Sequence, residues 1–315
     1  MTRAFVFPGQ GSQVVGMGRQ LYDAVPAARL VFEEVDDALG EPLSRLIFDG
    51  PEDALRLTEN AQPALLATSL AALRALEERS GRRLPELATV VAGHSLGEYA
   101  ALAAAGSIEV GDAARLLRLR GQGMQSAVPV GEGAMAAILG LELAAVEEVA
   151  AAASAAGVCD VANDNAPGQV VVSGSRAAVE RAVELAKARG ARRSVLLPVS
   201  APFHCRLLAP AARAVGAALA GIPIGLPSVP VITNVAAAPQ SAPEVLRSSL
   251  VEQVTARVRW RESLLAMAGL GVDTVVELGA GRVLSGLTKR TLPAVATVAL
   301  GTPEEVDAFA RTLAA

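Results

Sequence analysis

Two kinds of apolar run alternate along the chain. Short β-branched or aromatic runs bounded by Gly or Pro read as buried strands, and longer stretches with apolar residues at i, i+3 and i+4 read as helices. Arg3-Ala-Phe-Val-Phe7 predicts a strand, residues 18–39 a helix, and 60–79 a second helix with Pro63 in its first turn. Thr89-Val-Val-Ala-Gly93 predicts a strand running into a turn and an Ala/Leu-rich helix, and another helix starts at Asp112, a good N-cap. Towards the C-terminus, strands at 229–234, 272–278 and 295–300 alternate with helices at 245–254, 283–288 and 303–313.

Residues 127–198 follow a different order. Strands at 133–139, 158–162, 169–173 and 193–199 and helices at 142–156 and 175–189 give βαββαβ, a ferredoxin-like pattern. Asn163-Asp-Asn-Ala-Pro-Gly168 reads as the hairpin turn between its middle strands. The expected fold class is therefore α/β. A large α/β-hydrolase-like subdomain (1–126 and 199–315) carries an inserted ferredoxin-like small subdomain (127–198).

Composition narrows the function. The 315 residues are 52% hydrophobic and 19% charged, as in a compact enzyme, and a net charge of −4 argues against general nucleic-acid binding. Apolar stretches are broken before the roughly 18 residues a membrane span needs. Two cysteines, Cys159 and Cys205, cannot staple a chain this long, and no secretory signal opens it, so a reduced, cytoplasmic location is expected.

The chemistry centres on Gly93-His-Ser-Leu-Gly97 between strand and helix. This G-x-S-x-G elbow lifts Ser95 Oγ out of a turn that tolerates only glycine on either side, beside the amides of a helix N-terminus. Of the two histidines, His94 adjoins Ser95 and cannot readily share its proton, so His204 is the candidate base by elimination. Cys205 beside it reads as packing. Arg120 falls on an apolar stripe with Ala113, Leu116, Leu117 and Met124, where a cation needs an anion. From the pattern alone an internal salt bridge, or a side chain that snorkels out to water, is favoured over a ligand. Pro8-Gly-Gln-Gly-Ser-Gln13 is a glycine-rich loop that brings Gln13 towards a strand's carboxyl end; Val14 stands where a dinucleotide fingerprint needs Gly. Gln62 reads slightly better as part of a helix start than as a site residue, and Asn165 as a turn residue.

Taken together these motifs resemble the malonyl-CoA:acyl carrier protein transacylases of bacterial fatty-acid synthesis. Phe7-Pro-Gly-Gln-Gly-Ser-Gln13, Gly93-His-Ser-Leu-Gly-Glu98, Arg120-Gly121, Asn165-Ala-Pro-Gly-Gln-Val-Val172, Phe203-His204, Asn234-Val235, Val258-Arg-Trp260 and Glu277-Leu-Gly279 occur in the family's order over essentially the whole chain. The resemblance implies that Ser95 carries a malonyl ester and His204 is base and then acid. It implies that the Gln253 carbonyl holds the imidazole, and that the N–H groups of Gln13 and Leu96 form the oxyanion hole. Arg120 would pair with the malonyl carboxylate, reversing the salt-bridge reading. Phe203 would crowd the acyl α-carbon, and Asn165 would join the substrate site. Malonyl-CoA would be a substrate, with no cofactor or metal, and acyl carrier protein the partner. Arg206 adds a positive charge that could help an acidic carrier approach or be a free surface arginine. A serine hydrolase and an inactive carrier-binding module are the competing readings.

Overall fold

The structure, a computed structural model, describes residues 2–314. Ten strands run through it: β1 (Arg3–Phe7), β2 (Val90–Gly93), β3 (Gly133–Leu139), β4 (Cys159–Ala166), β5 (Gln169–Ser175), β6 (Arg193–Leu196), β7 (Val231–Ile232), β8 (Pro239–Gln240), β9 (Thr274–Leu278) and β10 (Ala296–Leu300). They form two sheets.

The larger sheet has the order β10-β9-β1-β2-β7-β8 and is parallel except for β8. Parallel strands are covered on both faces, which is why β1 is apolar without alternation. Phe5 and Phe7 pack against helices Pro26–Leu39, Thr58–Ser80 and Val110–Ser126 on one side. Ala4 and Val6, pointing the other way, meet Trp260, Leu264 and Leu284. Helix Thr58–Ser80 is buried along most of its length, so it lacks a polar stripe.

The smaller sheet is antiparallel with the order β4-β5-β3-β6, and helices Leu143–Ala153 and Arg176–Ala188 cover one face. In chain order its strands lie second, third, first, fourth, which is the ferredoxin-like arrangement. Its other face brings Met135, Ala162 and Val171 into contact with the core of the large body.

Four local expectations change, the first being that Pro63, expected in a first turn, lies inside the helix Thr58–Ser80. The helix expected at 18–39 is two, Arg19–Ala24 and Pro26–Leu39, because the residue before Pro26 must be extended, and Val25 has φ −132° and ψ 111°. Helix Val110–Ser126 begins before Asp112, which sits in its first turn and pairs with Arg115. Asn163 and Asn165 lie in β4, not in a turn. That strand continues to Ala166, paired to β5 on one side and held on the other by Asp164 N–H to Val258 O and Val258 N–H to Ala162 O.

Candidate active site

The nucleophile turn is set by two glycines that admit no side chain. A Cβ on Gly93 would stand 1.8 Å from the Gly97 carbonyl oxygen, and one on Gly97 would stand 2.2 Å from that of Phe7. The turn closes with Ser95 at φ 53°, in the left-handed region that costs a non-glycine residue about 1 kcal/mol or more. Asn234 stitches it in place: its Oδ1 accepts the Ser95 N–H at 2.7 Å and its Nδ2 donates to Gly93 O at 2.6 Å. The next amides, Gly97 and Glu98, are used by the carbonyls of His94 and Ser95. The Leu96 N–H has no acceptor among the described residues, and it opens the helix Gly97–Ala104.

His204 also has positive φ, 57°. Its Nε2 lies 2.8 Å from Ser95 Oγ and its Nδ1 lies 2.8 Å from the Gln253 carbonyl oxygen. A carbonyl only accepts, so Nδ1 carries the proton and Nε2 is free to accept from the serine hydroxyl. Burial, and then the positive charge of Arg120, push the imidazole down to about 3, against the pull of the Gln253 carbonyl. It is therefore neutral, the form a base requires. His94 turns away from Ser95: its Nε2 meets Asn165 Oδ1 at 2.8 Å and its ring lies 5.5 Å from that of Trp260.

Arg120 is 1% exposed and sits over the site. Its Nη2 donates to Ser95 Oγ at 3.0 Å and to Gln253 Oε1 at 2.9 Å, and its Nη1 to Gln62 Oε1 at 2.6 Å. Nε has no partner among the described residues, and no carboxylate pairs with the guanidinium directly. The salt bridge favoured by the sequence pattern is thus absent among the described residues. Gln62 belongs to the site after all, and it connects onward: its Nε2 donates to Thr58 Oγ1, which donates to Gln10 Oε1 at 2.8 Å. The sequence offered Gln62 as a site residue only as the slightly less favoured reading, because Arg120, and Gln10 by way of Thr58, reach it from two other segments. Glu98 lies beneath, wholly buried. Burial pushes its carboxyl up to about 7, although two N–H donors and the charge of Arg120 pull the other way.

A cavity of about 500 Å³ opens onto Ser95, walled by Met124, Met135, Val171, Leu197 and Phe203. Asn165, Gln10 and Gln13 also line it. The glycine-rich loop touches the elbow at Gly9, where a Cβ would meet His94 O at 2.8 Å. Gln10 follows immediately, whereas the Gln13 carboxamide folds back to accept the Gly11 N–H at 2.7 Å. Gln10 was legible only as one of several polar residues in that loop. Cys205 is buried, its thiol pushed up to about 11 by burial, and donates to Pro202 O. Arg206 is not a free cation: it pairs with Asp160, both through its guanidinium and through its N–H at 2.9 Å.

Known proteins resemble this one along nearly the whole chain. Residues 4–313 match the family model described as acyl transferase domain. Malonyl CoA-acyl carrier protein transacylase of Bacillus subtilis is 46% identical over 98% of this chain and 96% of its own. The crystal structure of acyl-carrier-protein-S-malonyltransferase from Bartonella henselae is 52% identical, with TM-score 0.97 and 100% of both chains covered. A malonyl-transacylase solved in complex with a type II PKS acyl-carrier protein is 41% identical, with TM-score 0.95, over 99% of this chain and 100% of its own. No helix among the described residues is long and apolar enough to cross a membrane. The chain is an acyltransferase that belongs to the acyl transferase domain family, among relatives named malonyl CoA-acyl carrier protein transacylases.

Proposed function

We propose that this enzyme moves a malonyl group from malonyl-CoA to the phosphopantetheine thiol of an acyl carrier protein through a malonyl ester on Ser95, in a ping-pong cycle serving fatty-acid synthesis. One observation carries the reading: a buried guanidinium with no carboxylate partner stands 3.0 Å from the oxygen of a serine that is itself 2.8 Å from a neutral histidine. A buried cation is costly without an anion, and the free carboxylate of a malonyl group supplies one in a bidentate geometry that acetyl cannot.

The steps follow from the atoms present. His204 Nε2 takes the Ser95 proton as Oγ attacks the thioester carbonyl. The tetrahedral oxyanion is held by the Leu96 N–H and by an N–H of the glycine-rich loop, where Gln10 adjoins the elbow contact and Gln13 is the residue expected from sequence. Such donors contribute about 3 kcal/mol each in acyl-transfer sites. The C–S bond breaks and His204 returns the proton to the departing CoA sulfur. In the second half a carrier thiol enters, His204 takes its proton, the sulfur attacks the ester, and Oγ leaves with the proton. The Gln253 carbonyl keeps Nδ1 protonated throughout, in the position a triad carboxylate has elsewhere. Phe203 and Asn165, on the cavity wall, would contact the acyl chain and the thioester arm.

The test is to mix the protein with malonyl-CoA and map the modified peptide. Ser95 should carry malonyl, Ser95→Ala none, and His204→Ala should load roughly 10²–10⁴-fold more slowly. Arg120→Ala should lose malonyl loading while gaining relative activity on acetyl-CoA. An Arg120→Ala protein with full malonyl loading would contradict the reading in favour of a hydrolase for neutral esters, and absence of any adduct would favour an inactive binding module.

A further inference from the structure

The helix that leaves the elbow places one carboxylate under the site that the exchange above does not use. Glu98 is wholly buried, and its Oε2 accepts two N–H groups, the Asn234 backbone amide at 2.8 Å and the Gln253 carboxamide at 2.8 Å. Both partners act on the reacting groups. Asn234 clamps the turn that bears Ser95. Gln253 donates also to Ser95 O at 3.0 Å, accepts Arg120 Nη2 on Oε1, and holds His204 Nδ1 with its backbone carbonyl.

A buried carboxamide has two orientations of nearly the same shape, distinguished only by its hydrogen bonds. If Gln253 flipped, its NH2 would face the donor-only guanidinium of Arg120 and its oxygen would face the Glu98 Oε2 that now accepts its N–H. Each misplaced contact leaves a buried donor or acceptor unpaired. We infer that Glu98 is a positioning residue that locks the Gln253 carboxamide so that Arg120 is aimed at the acyl carboxylate, and that it braces the Ser95 turn through Asn234. This inference rests on the malonyl reading of Arg120.

The interposed amide explains why the carboxylate stands one residue away. A direct Glu98–Arg120 pair would saturate the guanidinium internally and leave it little for the substrate. With a neutral amide between them, Glu98 fixes the carboxamide while the guanidinium keeps its free donors for the substrate. The Nε of Arg120 and Oε1 of Glu98 both remain without partners among the described residues.

The experiment compares the parent with Glu98→Gln, Glu98→Asp and Glu98→Ala, each confirmed folded by thermal melting, in single-turnover loading of Ser95 from malonyl-CoA and from acetyl-CoA. Gln at this position keeps a carbonyl oxygen that can accept both N–H groups, so its malonyl-over-acetyl ratio should stay within about threefold of the parent. Ala removes the acceptor and Asp retracts it by one methylene, so both should lower that ratio about tenfold or more. A merely structural Glu98 would reduce the active fraction and leave the ratio alone. The parent ratio in Glu98→Ala, or in Glu98→Asp if Ala does not fold, overturns the inference, as does a Gln variant as poor as Ala. A parent that shows no preference for malonyl overturns the reading of Arg120 and this inference with it; a selective parent with equally selective variants overturns the inference alone.

Discussion

Ser95 and His204 both hold positive φ, at 53° and 57°, and with Ala237 they are the only non-glycine residues among those described that do. Strain at both reacting residues is tolerated because each is over-determined by its neighbours, Asn234 on one side and Gln253 on the other. The depressed basicity of His204 has a measurable consequence. The imidazole acts as a base when neutral, so kcat/KM should stay level as pH falls through the ordinary imidazole value near 6.5, and the protonation limb should lie far below it, towards the value of about 3 that burial and Arg120 impose. The same shift gives His204 a stability contribution that rises with pH, since between those values the unfolded chain binds the proton and the folded one does not; Glu98, raised to about 7, contributes the opposite slope above its ordinary value. A rate profile with an acid limb at 6.5 would contradict both. Phe203, 8% exposed, is on the cavity wall, and the proposed malonyl ester would set its ring beside the acyl α-carbon, where a methyl branch would be crowded. Methylmalonyl-CoA should load Ser95 about tenfold or more slowly than malonyl-CoA, the range one methyl group can impose, and equal loading would remove Phe203 from the selectivity account. Ser95, His204 and Arg120 were legible in the sequence, because an elbow, a shortage of histidines and a cation on an apolar stripe are visible in one dimension. Gln10 and Glu98 were not, and Gln62 only as the slightly less favoured of two readings, since their meaning comes from partners that only the fold supplies.

At the scale of elements, the elbow is the joint between β2 and the helix Gly97–Ala104, and its tolerance is set by Gly93. Gly93→Ala should abolish Ser95 loading and lower the melting temperature by several degrees, since a Cβ placed 1.8 Å from the Gly97 carbonyl must move backbone. Unchanged loading and melting would show that the turn can open. Most strands and helices were readable from period alone, including the continuous apolar run of β1. The exceptions have physical causes. Pro26 breaks a helix whose apolar period runs on unbroken. The stretch Asn163-Asp-Asn165 has turn composition but strand backbone, because Val258 from the large body offers its amide and carbonyl to the outer edge of β4.

For the whole molecule, the arrangement of two sheets matters because the cavity lies between them, with Val171 and Met135 of the smaller sheet facing Ser95 and His204 of the larger body. The smaller sheet is fastened along β4. Asp164, 1% exposed, takes Arg261 on both oxygens, and the elbow's His94 reaches Asn165. Arg261→Ala strands that carboxylate and should cost about 3 kcal/mol in urea unfolding, reduced from the fully buried case because the arginine side is partly wet. It should also slow loading by displacing Asn165, whereas a change in neither would mean the two bodies are held elsewhere. The ferredoxin-like order was legible from element sequence, but its docking on the large body was not, since pairs such as Asp164 with Arg261 are 97 residues apart. The central claim is that Ser95 holds an acyl group between two thiols, and the most direct test is a chase. Malonyl-enzyme is isolated free of CoA and then given either buffer or holo acyl carrier protein. The account predicts that malonyl appears on the carrier's phosphopantetheine thiol in step with its loss from Ser95, and far faster than release to water. Loss at the same rate in both, with free malonate as the product and no malonyl-carrier formed, would contradict it.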